Sequence, residues 1–270
     1  MSVYHRPRSL PDALAALAEP GARALVGGTD LLVGLRHGTV VPSVIVDLKA
    51  LDDLPDPLRV TDDGIAVGPT LTLGELVADP AVQEWFPALV EAARTVGSVA
   101  IRNRASLVGN LCNASPAADT APALLVHDVS VTITSPGGSR TVALAEFFHG
   151  PRRTACGPGE LVTGLTIGRP APGSGSAFQR LTRRRGVDLA TVGVAAAVDR
   201  SGSVTLGLSA VAPTPLRVPV TATVDAALGA ATPISDVRGG QVYRTAMLRV
   251  LARRAIDTAT DRRHLQEVTP

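Results

Sequence analysis

The chain has 270 residues and 27.7 kDa, which corresponds to about two domains of ordinary size. Lys plus Arg number 26 against 24 Asp plus Glu, for a net charge of +2; 19% charged and 45% apolar residues describe a folded globular protein and exclude a disordered or strongly basic nucleic-acid-binding chain. One Trp, two Tyr and four Phe are too few for a nucleic-acid stacking platform, and two cysteines, Cys112 and Cys156, are too few to hold an iron–sulfur cluster or a zinc knuckle.

The N-terminus lacks the apolar region of a signal peptide, and no uncharged apolar run reaches membrane-spanning length, so a cytoplasmic setting is expected. Ser9 precedes a Leu10, Leu14, Leu17 stripe that predicts a helix, stopped by Pro20-Gly21. A strand is expected at Ala24–Val26, running into Gly27-Gly28-Thr29-Asp30. An apolar stretch follows to His37-Gly38, and a second strand at Val44–Leu48. Asp52 to Pro57 reads as a lobe boundary. Beyond it come a strand at Gly64–Val67, a helix opened by a Thr72/Glu75 capping box, and a longer helix from Asp79-Pro80 through Val90 and Ala93.

Val96 to Pro122 reads as an irregular stretch rich in Gly, Asn, Ser and Ala. Val129–Thr134 and Arg140–Val142 flank Pro136-Gly137-Gly138 as a hairpin, and Leu161–Ile167 reads as a strand. Pro170 to Ser176 has the composition of a linker. Strands are then expected at Ala177–Leu181, Thr191–Val198 and Val204–Val211, followed by helices. The last, around Tyr243 to Ile256, has Met247, Val250, Leu251 and Ile256 available for one face.

Two segments can carry chemistry. Val26-Gly27-Gly28-Thr29-Asp30 delivers a glycine pair at a strand end. Without a Cβ, successive N–H groups there can converge on a phosphate oxygen, although such a turn is more often purely structural. The spacing is neither that of a Rossmann fingerprint nor that of a P-loop. The segment Ser98 to Asp119 offers hydroxyls, amides and a carboxylate interleaved with Val99, Ile101, Leu107, Val108 and Leu111. It reads either as a solvated loop or as a partly buried one completed by a ligand. The five histidines show no metal spacing, and Arg183-Arg184-Arg185 reads as a solvated or subunit-facing charge run.

Gly27-Gly28-Thr29-Asp30, Ile101-Arg102-Asn103, Ser106 to Asn110 and Ala114-Ser115-Pro116-Ala117-Ala118-Asp119 occur here in one order. With Phe147 to Thr154, Glu160-Leu161, Tyr243-Arg244 and Val250 to Ala255, they resemble the FAD-binding medium subunit of molybdenum hydroxylases. That family includes the flavin subunits of xanthine dehydrogenase and aerobic carbon monoxide dehydrogenase. The resemblance implies an α+β fold: a two-lobed FAD-binding domain of the vanillyl-alcohol-oxidase (PCMH) type, in lobes 1–55 and 56–172, and a C-terminal α+β domain, 177–270, of antiparallel sheet and helices.

It also implies a site. Val26, Gly27, Gly28, Thr29, Asp30 and the adjoining Leu31 would wrap the FAD diphosphate through backbone N–H groups. Ser106, Leu107, Val108, Gly109 and Asn110 would add diphosphate and ribityl contacts, with Gly97 just upstream and Asp119 as a polar contact. Leu161 or Val162 would lie near the isoalloxazine, and Arg180 would stand where such subunits usually carry a lysine. Val108-Gly109 replaces the usual Gly-Gly, so the Val108 Cβ has to point away from the cofactor. The implied partners are a molybdopterin-binding large subunit and a 2Fe-2S small subunit, in a heterotrimer or a dimer of heterotrimers, with NAD or another molecule as electron acceptor. A self-contained FAD oxidase or dehydrogenase and a non-catalytic nucleotide-binding scaffold are the alternative readings.

Overall fold

Three short strands build the N-terminal lobe, of which only the third, Val44-Ile45-Val46-Asp47, is rich in β-branched residues. In the computed structural model, which describes residues 2–268 and side chains as far as 265, they are β1 (Val3–His5), β2 (Arg23–Leu25) and β3 (Val44–Asp47). They form a parallel sheet in the order β1-β3-β2. Helix α1 (Leu10–Leu17) lays Ala13, Leu14 and Leu17 against Val46. Its start is set by the Ser9 hydroxyl, which accepts from the Asp12 N–H, and by Pro11, whose missing donor costs nothing in a first turn. The apolar stretch after the glycine pair is a helix, α2 (Leu31–Arg36), and β2 ends at Leu25 rather than Val26.

The second lobe opens with a hairpin, β4 (Leu58–Thr61) and β5 (Gly64–Val67), of which the sequence signalled only the second strand. The expected capping box is formed at α3 (Leu73–Ala78): the Thr72 hydroxyl accepts from the Glu75 N–H at 3.2 Å, and the Thr72 N–H donates to Glu75 Oε2 at 2.9 Å. The single long helix expected from Pro80 is two, α4 (Pro80–Trp85) and α5 (Pro87–Thr95). Pro87 lacks a donor and forces Phe86 out of helical backbone, to φ −128°, ψ 55°.

The stretch read as irregular holds three short helices, α6 (Val99–Arg102), α7 (Leu107–Cys112) and α8 (Thr120–Leu125). Ser98 and Ser106 cap the first two, but helices this short do not display an apolar period. Strands β6 (Val129–Ser135) and β7 (Gly138–Ala143) pair as the expected hairpin. Helix α9 (Leu144–Phe147) and the small ribbon β8 (Phe148–Gly150) with β9 (Arg153–Thr154) lead to β10 (Leu161–Gly168). The sheet is antiparallel, in the order β4-β5-β10-β6-β7. Its core includes Ile65, Leu73, Phe86, Leu89, Leu107, Leu124 and Phe147. Leu161, the first residue of β10, instead joins the core of the first lobe, with Leu14, Leu17, Val46 and Leu48.

His127 packs edge-on against Phe86 at 5.1 Å, and its buried Nε2 has no hydrogen-bond partner. Burial lowers its pKa to about 4. A histidine depressed in the folded state stabilises it above the unfolded pKa, and that stability is lost as pH falls through the folded value. The shift from 6.5 to about 4 corresponds to about 3 kcal/mol lost on acidification. His127→Phe should therefore unfold less steeply with acid than the parent between pH 6.5 and 4, read as urea midpoints across that range.

The C-terminal domain is an antiparallel meander, β11 (Gly175–Leu181), β12 (Val192–Val198), β13 (Val204–Ser209) and β14 (Leu216–Val220), with α10 (Val224–Leu228) and the long α11 (Gln241–Val268). The buried face of α11 is Leu248, Leu251, Ala252, Ala255 and Ala259; of the expected set, Leu251 belongs to it and Met247 and Ile256 pack against it, whereas Val250 is 36% exposed. Alanines let the helix approach so closely that a Cβ at Gly175 would overlap the Ala259 carbonyl. The outer edge of β11 is closed by the second lobe: Glu91 accepts from the Phe178 N–H at 2.8 Å and pairs with Arg262, which also donates to the Ser176 carbonyl. Among the described residues no helix is long and apolar enough to cross a membrane.

Candidate functional site

Both loops singled out in the sequence lie at the seam between the lobes. The first leaves the carboxyl end of β2, where ligands commonly meet parallel strands. Gly28 turns it at φ +72°, a backbone that side chains rarely adopt, and the Leu32 N–H then donates to the Gly28 carbonyl to start α2. Gly27 rests on the second loop: an added Cβ would overlap the Arg104 carbonyl. The second loop is itself laced to the segment before α3, with Leu73 N–H to Ala105 carbonyl at 2.8 Å and Leu107 N–H to Leu71 carbonyl at 3.1 Å. A cleft of about 390 Å³ opens at this contact, lined by Val26, Gly27, Lys49, Thr70, Thr72, Asn103 and Arg104 among others.

Within the second loop, Gly97 takes φ +54° against Ile101, and the Ser106 hydroxyl accepts from the Gly109 N–H at 3.1 Å. Leu107 and Val108 point into the core, at 0% and 4% exposure. The Val108 Cβ is thus directed inward, which meets the condition that its replacement of glycine imposes. Asn110 Oδ1 accepts from the Thr120 hydroxyl at 2.7 Å.

Beside Thr120, Asp119 Oδ2 accepts from Arg180 Nη1 at 2.7 Å, a pair buried at the junction of the second lobe and β11. The other oxygen, Asp119 Oδ1, is buried with no hydrogen-bond partner. Burial pushes the Asp119 carboxyl up to about 6 despite the guanidinium and, to a lesser degree, the Thr95 hydroxyl beside it, a hydroxyl that itself donates to the Ala92 carbonyl.

The sixteen expected site residues are therefore distributed unequally. Val26 and Gly27 line the cleft, while Gly28, Thr29, Asp30 and Leu31 continue the same loop. Asn110, Asp119 and Arg180 gather in a second polar cluster through Thr120. Leu161 and Val162 do not offer side chains to a ligand: both are buried, Leu161 in the first lobe's core and Val162 in the second's. As adjacent strand residues they point to opposite faces, and a core lies on each.

Sequence reasoning passed over Lys49, Asn103 and Arg104 as site residues. Lys49 had a usable signal, since it follows the carboxyl end of the central strand β3 at Asp47. The Arg104 contribution had none, because it is a carbonyl brought to Gly27 by tertiary folding.

Comparison with known proteins assigns the frame. The family described as the FAD binding domain in molybdopterin dehydrogenase matches residues 1–170. The chain belongs to this family. It is 32% identical to the carbon monoxide dehydrogenase medium chain of Afipia carboxidovorans over 280 residues, covering 96% of each chain. It is 34% identical over 220 residues to the putative xanthine dehydrogenase FAD-binding subunit of Escherichia coli, covering 79% of this chain and 75% of that one. Carbon monoxide dehydrogenase from Hydrogenophaga pseudoflava superposes with a TM-score of 0.90 at 28% identity, covering 97% of this chain and 98% of that chain.

This family member is an FAD-binding oxidoreductase subunit of the molybdenum hydroxylase type, with the expected α+β architecture. Its residues fit the cofactor on two independent observations: a glycine loop shaped so that side chains are excluded, and a buried carboxylate oxygen still lacking a donor.

Proposed function

We propose that this chain holds FAD between the two lobes and the C-terminal domain, so that electrons arriving from 2Fe-2S clusters of a partner subunit leave to NAD or another acceptor. Substrate would be hydroxylated in a molybdopterin-binding large subunit. When bound, FAD supplies the redox chemistry, and the protein binds it, orients it and sets its potential. The backbone N–H groups of Val26 to Leu31 take the diphosphate, and the segment Ser106 to Asn110, whose Leu107, Gly109 and Asn110 N–H groups are already engaged within the protein, adds further contacts to the diphosphate and ribityl chain, with Gly97 shaping the turn ahead of it. Leu161 and Val162 act through the packed seam beneath the flavin. The units 1–55, 56–172 and 177–270 follow this division, the first two enclosing the nucleotide and the third covering it.

The observation that carries this reading is the partnerless Asp119 oxygen held in place by Arg180, since a buried acceptor is costly until a donor reaches it. A ribityl or ribose hydroxyl is such a donor. Asp119→Ala should weaken FAD binding clearly more than Arg184→Ala, measured by flavin fluorescence titration of the desalted protein; the reverse order would move the site elsewhere.

Two cysteines in the whole chain leave the iron–sulfur clusters to another subunit, which supports the heterotrimeric reading and a place in the cytoplasm with its partners. Tagged chain recovered from its native cells should bring with it one large molybdenum-containing and one small cysteine-rich subunit. If it is recovered alone and its flavin is reduced directly by alcohols or amines, it is a self-contained oxidase or dehydrogenase instead.

A further inference from the structure

We propose that Lys49 is a positioning residue for FAD, fixing the peptide between Val26 and Gly27 and thereby the direction of the N–H groups in the first phosphate loop. The inference rests on the flavin reading above and concerns a residue outside the loops that reading uses.

The Lys49 ammonium donates to the Val26 carbonyl at 3.1 Å and to the Asp47 carboxylate. Asp47 is 3% exposed and lies opposite Leu25 in the β2–β3 register, at the mouth of the loop. Its carboxylate also accepts from the Tyr4 hydroxyl on β1 and from the Lys49 N–H. Burial favours the neutral acid, but the bonds from Lys49 and Tyr4 outweigh it and hold the Asp47 carboxyl below its ordinary value. The ammonium is thus anchored on the end of β3, whose Asp47 is in turn held by Tyr4 of β1, and reaches the first residue after β2.

What that ammonium grips is one end of a rigid plane. The described chain contains no cis peptide bond, so the Val26 carbonyl and the Gly27 N–H point in opposite directions. Holding the carbonyl toward Lys49 holds the N–H away from it. This peptide would otherwise be free to turn on its Gly27 side, because Gly27 has no Cβ to restrict it. On the other side Gly27 is backed by the Arg104 carbonyl. The loop is thus clamped at its carbonyl by Lys49 and at its α-carbon by the second loop, and its amides need no reordering when an anionic ligand arrives.

The test uses the full chain, stripped of flavin with a high concentration of bromide and titrated with FAD by fluorescence quenching. Lys49→Met should raise the dissociation constant about tenfold or more, the effect of losing a hydrogen bond from a charged group. Lys49→Arg keeps the charge and two donors and should recover most of that affinity.

Lys49→Met also strands a buried carboxylate and lowers stability, so the paired variant Lys49→Met/Asp47→Asn separates the two effects. It removes both charges and should recover thermal stability while FAD binding stays weak, because the Val26 carbonyl is still unheld. Recovery of FAD affinity together with stability in the paired variant would overturn the proposal, as would parent-like affinity in Lys49→Met. A parent chain unable to retain FAD would overturn the flavin reading itself, and this inference with it.

Discussion

Gly27→Val is expected to abolish flavin retention and to lower stability by about 3 kcal/mol or more, the range for forced backbone displacement. The Cβ created at this position would overlap the Arg104 carbonyl. A carbonyl belongs to the main chain and cannot rotate aside, so the two loops have to part. Gly28→Val is a useful contrast. Its Cβ would meet the flexible ends of Leu25 and Leu32, but its φ of +72° still imposes strain. Both variants should therefore lose flavin, with Gly27→Val the less stable of the two by chemical denaturation. Retention of yellow colour after desalting Gly27→Val would show that the contact between the loops is dispensable.

Arg180→Met is expected to cost about 3–5 kcal/mol at pH 8, because it leaves a buried carboxylate with no cation. The dependence on pH distinguishes this cause from lost packing. The folded-state pKa of Asp119 is raised from 3.8 to about 6, by burial before any other influence. A raised carboxyl gives stability that is fully present below its unfolded pKa and is lost as pH rises through the folded value.

In the parent that loss falls between about pH 4 and pH 6. Without the guanidinium the folded pKa climbs further and the loss extends to higher pH. Arg180→Met should therefore match the parent closely at pH 5 and fall well below it at pH 8, read as urea unfolding free energies at the two values. An equal deficit at both would assign the effect to packing. A lysine here would keep the charge, so Arg180→Lys should recover much of the stability at pH 8.

The elements legible in the sequence are those whose signals are local. Ser9 ahead of Leu10, Thr72 with Glu75, and Pro136-Gly137-Gly138 each act within a few residues, and each is found where expected. The short helices after Val96 were hidden because four to six residues complete too few turns to show a period. The break at Pro87 was hidden because the apolar pattern continues across it: Val82, Phe86 and Leu89 are all buried.

At the site, the glycine pair and Asp119 could be identified from residue type and resemblance. Their physical roles could not, because the Arg104 carbonyl behind Gly27 and the buried, unpaired acceptor oxygen of Asp119 exist only once distant segments meet. Leu161 and Val162 show the opposite limit. Resemblance nominated them as near neighbours of the flavin, yet their side chains are given over to two different cores.

The placement of Leu161 bears on how the molecule could be taken apart. Its strand is hydrogen-bonded into the second sheet, but its side chain completes the first lobe's apolar interior. A fragment ending before the second lobe would carry a hole the size of a leucine, and the complementary fragment would expose that leucine to water. The nucleotide-binding halves are therefore not interchangeable modules, and a split-gene version of this subunit should reassemble only when the cut falls outside both.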